Sequence, residues 1–400
     1  MKSQQHITKN VFDEPSLPTD KKEFVQEQQP QPSHSQPNNK NLHKLLEYQY
    51  NDWHWQLRNK IKSIDVVSKF INLTTEEQRG LIYSKFKFGI TPYLLSIIEK
   101  DNPDCPIRKQ FIPTISEIKS TQEELLDPCG EDDDTVAPGI VHRYPDRVLL
   151  MLTTQCASYC RFCTRRRLVG QQEHIISQGE FFLALEYIKN HPEIRDVILS
   201  GGDPLILSDE KLEFFLKHLR QIKHIEILRI STRIPVALPQ RITPKLCSTL
   251  KKFNPIFINI HINHPKELTL QTQIACNMLA DNGFPLGSQT VLLKGINDKP
   301  QILLKLFHEI LKLRIRPYYL YQCDIAQGTS HFRTPVSVGL KIIENLQGHT
   351  SGLAVPTFVL DTPGGGGKVP ISPNYVISKS RNSIIVKNYE QKVYVYPEIK

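Results

Sequence analysis

No stretch of this 400-residue chain approaches the roughly 18 to 20 consecutive apolar residues that a membrane-spanning helix requires. Its first residues, MKSQQHITKNVFDEPS, lack the apolar core of a secretory signal and the Arg-rich, acid-poor character of a transit peptide, so a cytoplasmic protein is expected. With 39% hydrophobic and 23% charged residues, collagen-like and wholly disordered chains are excluded. Folding at this length buries on the order of three-quarters of the unfolded surface, so the core needs no disulfide staple. The charge excess is modest: 50 Lys plus Arg against 41 Asp plus Glu leaves +9 over the whole chain. That balance permits an anionic ligand but does not demand nucleic acid, which is not expected as a partner. Of the eight cysteines, Cys105, Cys129, Cys247, Cys276 and Cys323 are scattered in the manner of small buried hydrophobes. Cys156, Cys160 and Cys163 fall within eight residues and need another explanation.

Residues 1–41 are rich in Gln and Pro and poor in large apolar residues, which predicts a disordered tail. A helical N-terminal region is expected over 42–140, where Thr74 and Glu77 form a capping-box pattern and Thr91–Pro92 makes a cap with a first-turn proline. From Arg147 the texture changes. The runs RVLLML, DVILS, EILRIST, PIFINIHI, GSQTVLL and RPYYLYQ start near 147, 196, 226, 255, 287 and 316, with amphipathic helix-length segments between them. Intervals of about 30 residues are the length of a βα unit, so residues 141–370 predict an α/β fold of parallel strands, either a doubly wound sheet or a complete or partial barrel. A further strand-like run, PTFVLD, follows, and NYVIS, SIIVKNY and KVYVYPEI predict a short β extension over 371–400. The one long interval, between the first two strands, contains the three clustered cysteines.

In such folds ligands bind at the carboxyl ends of the strands. There this sequence places Cys156, Cys160 and Cys163 after the first strand, Gly201, Gly202 and Asp203 after the second, Arg233 after the third and His261 at the end of the fourth. Gln289 lies in the fifth, and Asp324 and Asp361 lie at the ends of the sixth and seventh. Three cysteines on one loop without a fourth partner suit an iron–sulfur cube with one iron left open. A zinc site would need a fourth ligand, and the nearest histidine, His174, has no matching spacing. The run Gly364–Gly367 before Lys368 gives a backbone free to pass close to a bulky ligand, or simply a flexible loop. It is not a phosphate-binding P-loop, because Val369 stands where Ser or Thr must follow the lysine.

The segment CASYCRFC resembles the cluster motif of the radical S-adenosylmethionine superfamily, and Gly201-Gly202-Asp203 resembles its motif for the methionine amino group. CTRRR, SGGDPL, LPQRITP, HINHP, GSQTVLLKGIND, RPYYLYQCD, HFRTPVSVG, HTSG, VPTFV and DTPGGGGK together resemble the lysine 2,3-aminomutase family, from about Asn102 to Ser378. The resemblance implies a partial (β/α)6-type barrel with an N-terminal helical region and a C-terminal β extension. It also implies a 4Fe-4S cluster on Cys156, Cys160 and Cys163, with S-adenosyl-L-methionine at Gly201, Gly202, Asp203 and His261. Pyridoxal 5'-phosphate is implied as a Schiff base on Lys368, its phosphate held by Arg143, Arg147 and Gln289. Arg165 would take the substrate carboxylate, and Asp324 with Asp361 its distal ammonium; glutamate-specific relatives replace that aspartate pair. The implied activity is an isomerase that moves the amino group of L-lysine from carbon 2 to carbon 3, with a reductant such as flavodoxin or ferredoxin as partner. Arginine 2,3-aminomutation, or supply of β-lysine for elongation factor P modification, is the alternative role. Family members carry an intersubunit zinc site, but here Lys299 stands where its first cysteine would be and no cysteine follows Cys323, so structural zinc is not expected, although a homo-oligomer is.

Overall fold

The computed structural model describes residues 49–399 except 120 and 172; the tail expected over 1–41 lies outside the described residues. The alternating side-chain direction of a β-strand explains how the central sheet serves two purposes. In the strand RVLLMLT, Val148, Leu150 and Leu152 are at most 1% exposed, whereas Arg147 and Leu149 line an open cavity. The same alternation sets Val197 and Leu199 against Asp196, Ile198 and Ser200, and Ile258 and Ile260 against Asn259 and His261. One face of the sheet is thus apolar and packs under helices, while the other carries polar groups toward a ligand space. A parallel sheet buried on both faces would instead read as continuously apolar.

Ten strands form one sheet in strict chain order. They are β1 (Thr135–Ala137), β2 (Ile140–Tyr144), β3 (Arg147–Thr153), β4 (Asp196–Gly201), β5 (Ile227–Thr232), β6 (Ile256–His261), β7 (Leu286–Leu292), β8 (Ile315–Gln322), β9 (Thr357–Thr362) and β10 (Gly367–Pro370). Strands β3 to β9 are parallel to their neighbours; β1, β2 and β10 add antiparallel edges. The edge strands do not pair with each other, so the architecture is an incomplete β/α barrel. Its six crossover helices are Gln178–Lys189, Asp209–Arg220, Pro244–Lys251, Leu270–Asp281, Pro300–Lys312 and Val336–Leu346. Ser177 and Glu180 form a reciprocal capping box on the first, and Ser208, Thr243 and Thr269 cap the next three.

Two elements depart from the sequence expectation. Strand β1 lies inside the stretch expected to be helical, where Gly139 at φ +72° turns the chain into β2 and the Tyr144–Arg147 turn leads on to β3. The glycine run is not a plain loop, because Gly367 and Lys368 pair with Thr362 and Asp361 as the start of β10. The helix that begins after Thr91 spans only Pro92–Ser96. Beyond it the Lys100 carbonyl accepts from Arg108 Nη1 at 2.9 Å and from Asn72 N at 3.1 Å, contacts that take the place of further helical turns.

The region before β1 grips the loop that follows β3. Lys60 Nζ donates to the Cys156 carbonyl (2.9 Å), Tyr159 N to Gly89 O (3.0 Å), Thr91 N to Ser158 Oγ (3.1 Å) and Arg161 N to Gln110 O (2.9 Å). The fully buried Arg161 guanidinium pairs with Glu117 at 2.6 Å, and Arg166 reaches the same carboxylate at 2.8 Å. A separate antiparallel sheet of β11 (Val376–Lys379), β12 (Ser383–Lys387) and β13 (Val393–Pro397) closes the chain, with Val393, Tyr394, Val395 and Tyr396 all more than half exposed. Among the described residues no helix is long and apolar enough to cross a membrane.

Candidate active site

The three clustered cysteines, the Gly-Gly-Asp turn, His261, Gln289, Arg143, Arg147, Arg165, Arg233, Asp324, Asp361 and Lys368 all line one cavity of about 650 Å³ on the polar face of the sheet, whereas Gly364–Gly367 do not. Cys156, Cys160 and Cys163 stand at one end, Lys368, Asp361 and Asp324 at the other, with His261, Gln289, Arg143, Arg147 and Arg165 between them.

At the cysteine end, burial first, then neighbouring Asp203 and the other two thiols, push the Cys156 thiol up. Cys163 is pushed up to about 11, again by burial and then by Cys160. Thiols such as Cys156 and Cys163, whose ionisation neighbouring sulfurs oppose, suit a shared cationic centre. Arg233 Nη1 donates to Cys160 Sγ at 2.8 Å.

The Gly-Gly-Asp turn is welded to the start of the cysteine loop. Gly202 N donates to Thr153 O (2.5 Å) and Asp203 N to Gln155 O (2.8 Å), and a Cβ on Gly201 or Gly202 would collide with those same carbonyls. Only glycine allows this approach, and Gly201 sits at φ +120° besides. The Asp203 carboxylate is occupied by protein donors, Arg233 N at 2.6 Å, Thr232 Oγ1 at 2.8 Å and Leu205 N at 3.1 Å, while burial lifts its pKa to about 6. The side chain therefore shapes the turn, and the backbone is what remains for a ligand. His261 is pulled down to about 3 by burial and by the Arg233 charge, so its ring is neutral. Asn263 Oδ1 accepts from Val291 N, which assigns His261 Nε2 as the donor in its 3.2 Å contact with that oxygen.

At the far end, Lys368 Nζ pairs with Asp361 Oδ1 at 3.0 Å and lies 5.6 Å from the centre of the Tyr321 ring. Burial works against the lysine charge, but Asp361 outweighs it and the Lys368 pKa rises. The Lys368 amide donates to Tyr144 Oη at 2.8 Å, which fixes the strand that carries it. The Asp324 carbonyl accepts from Thr329 Oγ1 at 3.1 Å, while burial, then the Asp361 charge, push the Asp324 carboxyl up to about 7. Cys129 Sγ and oxygens of Asp324 and Asp361 all fall within 4.8 Å of one another, and burial followed by the two aspartates raises that thiol strongly.

The candidate phosphate and carboxylate binders are held by acids. Arg143 pairs with Asp134 (2.5 Å) and donates to the Cys129 carbonyl, while Arg147 pairs with Asp146 (2.7 Å) and stacks 4.1 Å from the Tyr144 ring centre. Gln289 Nε2 donates to Tyr321 Oη at 3.1 Å. Arg165 makes a forked pair with Glu131, its closest contact 2.6 Å, and reaches Ser200 Oγ at 3.1 Å. Glu131 was not singled out from the sequence; its partner Arg165 lies 34 residues away. The arginines of Arg165–Arg167 all have carboxylate partners, Glu131, Glu117 and Asp132.

A model of the radical SAM superfamily matches residues 150–307, and a model described as lysine-2,3-aminomutase matches residues 343–400. The L-lysine 2,3-aminomutase of Acetoanaerobium sticklandii is 52% identical over 351 residues, 87% of this chain and 85% of the relative. The L-lysine 2,3-aminomutase of Fusobacterium nucleatum is 52% identical over 356 residues, 88% of this chain and 84% of the relative. A crystal structure of Streptococcus suis SuiB bound to S-adenosylmethionine aligns with 55% of this chain and 51% of its own at 12% identity and a TM-score of 0.41.

Proposed function

This chain belongs to the lysine 2,3-aminomutase family of radical S-adenosylmethionine proteins, and on that premise we propose that it interconverts L-lysine and β-lysine. The observation that carries the reading is the single cavity with a three-cysteine loop at one end and a lysine flanked by two aspartates at the other. In this reading Cys156, Cys160 and Cys163 hold a 4Fe-4S cluster, and Gly201, Gly202, Asp203 and His261 surround S-adenosylmethionine. Lys368 anchors pyridoxal 5'-phosphate, and Arg143, Arg147 and Gln289 face its phosphate. Bound together, these groups supply a carbon-centred radical and an electron-accepting ring across which an amino group migrates.

The chain's own residues choose and orient the substrate. Arg165, whose Nε and Nη2 are held by Glu131, would offer its Nη1 side to the substrate carboxylate. Asp324 and Asp361 repel each other without a cation and are relieved by one, which selects an amino acid with a distal ammonium at the far end. The exposed valines and tyrosines of β13 fit a homo-oligomer, and the requirement for electrons fits a cytoplasmic enzyme served by a flavodoxin- or ferredoxin-type donor.

The test is an anaerobic assay of iron-reconstituted protein with pyridoxal phosphate, S-adenosylmethionine, dithionite and L-lysine, resolving α- from β-lysine. β-lysine should appear and be lost in Lys368→Ala. A protein that keeps its cluster and cleaves S-adenosylmethionine, yet converts L-arginine and not L-lysine, would overturn the substrate assignment.

A further inference from the structure

Arg233 is a buried cation that the reaction just described does not use. It follows the last residue of β5, is 8% exposed, and its backbone amide is tied to Asp203 at 2.6 Å. Its guanidinium lies 4.5 Å from the ring centre of Phe111 and 5.3 Å from that of Phe162. Nη1 donates to Cys160 Sγ at 2.8 Å, and Nη2 donates to Gln110 Oε1 at 2.6 Å. Glu267, fully buried, lies 3.4 Å from Nη2 and also accepts from Gln110 Nε2 at 2.7 Å. Nε is buried with no partner among the described residues. The head of this side chain is thus positioned by its Nη2 contacts and two rings, and its other terminal nitrogen is committed to a sulfur.

A guanidinium cannot shed its proton in a protein, so the charge beside Cys160 is permanent. Reduction of a cluster held by thiolates adds one negative charge to a centre that is already anionic. Hydrogen bonds to the ligand sulfurs and fixed nearby charge are what set the potential at which that electron enters. Both effects are stronger in a buried, low-dielectric site than in water.

We propose that Arg233 is a positioning residue for the iron–sulfur cluster: by donating to Cys160 Sγ it stabilises the reduced state and raises the reduction potential, so that a mild one-electron donor suffices. The inference rests on the reading of Cys156, Cys160 and Cys163 as cluster ligands and adds to it a role for a residue outside the motif. Gln110 comes from the helix Pro106–Phe111, so the N-terminal region takes part in setting the electron affinity of a centre carried by the barrel.

The experiment is a potentiometric titration of reconstituted protein, followed by electron paramagnetic resonance without S-adenosylmethionine or lysine, with iron and sulfide counted alongside. At the wild-type midpoint, Arg233→Gln should show a reduced-to-oxidised ratio about tenfold lower, a shift of about 59 mV to lower potential for one electron, with unchanged iron content. Gln110→Ala, which frees the guanidinium without removing it, should shift the ratio in the same direction by less, and it decides the matter if Arg233→Gln fails to hold iron. An unchanged midpoint in a variant that retains its cluster overturns the proposal. Weakened S-adenosylmethionine binding at an unchanged midpoint would do so too, and would make Arg233 a ligand for that molecule's carboxylate instead. Failure of wild-type protein to assemble any 4Fe-4S signal would instead count against the cluster assignment itself.

Discussion

At the cysteine end of the cavity buried arginines meet buried carboxylates; at the other, like charges are crowded together. The cysteine loop is held by Arg161 and Arg166 on Glu117 and by Arg165 on Glu131, all inside the protein. The lysine end places Asp324, Asp361 and Cys129 within 4.8 Å of one another, with Lys368 beside Asp361 as their nearby cation. The first arrangement resists movement, because breaking any pair strands a buried charge. The second is left electrostatically incomplete, and a cationic substrate completes it. Stability is concentrated where the radical would be generated, and selectivity where the substrate is chosen.

Substitutions at the two ends should therefore fail in different ways. The largest effect is expected from Lys368→Ala, which should lower turnover on the order of 10³-fold or more while leaving melting temperature and iron content at wild-type values. Glu117→Gln at the opposite end should act by instability, costing about 3–5 kcal/mol in denaturant titrations, because two buried guanidinium groups lose their shared partner. A Glu117→Gln protein as stable as wild type would refute the contrast between the ends.

Asp324→Asn should raise the KM for lysine about 10- to 100-fold, the loss of a charged partner, yet it should not destabilise. Asp324 is held up at about 7 by burial and Asp361, above the ordinary carboxylate value, so its ionisation in the folded state costs stability as pH rises through about 7. Relative to wild type, Asp324→Asn should therefore gain stability at pH 8 and gain almost nothing at pH 4, which paired melting curves would read. The same shift predicts that kcat/KM for lysine climbs with pH and levels off above about 7, and that the climb moves to lower pH in Asp361→Asn. The smallest effect belongs to Tyr144→Phe. It removes one hydrogen bond to the Lys368 amide, worth about 1 kcal/mol, and should show as a modest loss of cofactor retention on dialysis.

The barrel was legible because its signals are local. The runs starting near 147, 196, 226, 255, 287 and 316 became β3 to β8 within a residue, since each apolar alternation is long enough to state its own period. The capping box at Thr74 and Glu77 formed for the same reason. Strand β1 was not legible: three residues carry no period, and its pairing depends on β2 rather than on its own side chains. Likewise the glycine run has no strand propensity and becomes β10 only because β9 offers it a partner. In the cavity, positions after strand ends could be read off the chain. Glu131 and Glu117 could not, because their arginines lie 34 and 44 residues away and acidic turns ordinarily face water.

The order of the parts along the chain has a consequence for how the protein is made. Lys60 to Glu117, which grip the cysteine loop, precede it in sequence, and Lys368 follows Cys163 by 205 residues. At about 5–20 residues per second the ribosome releases the lysine roughly 10–40 seconds after the last cysteine of the loop. The segments that grip the loop therefore precede the thiols out of the ribosome, whereas the Lys368 strand, paired in the sheet with β9 alone, can join it only near the end of translation. Any ligand that needs both the cysteine loop and Lys368 must therefore wait until translation has passed residue 368.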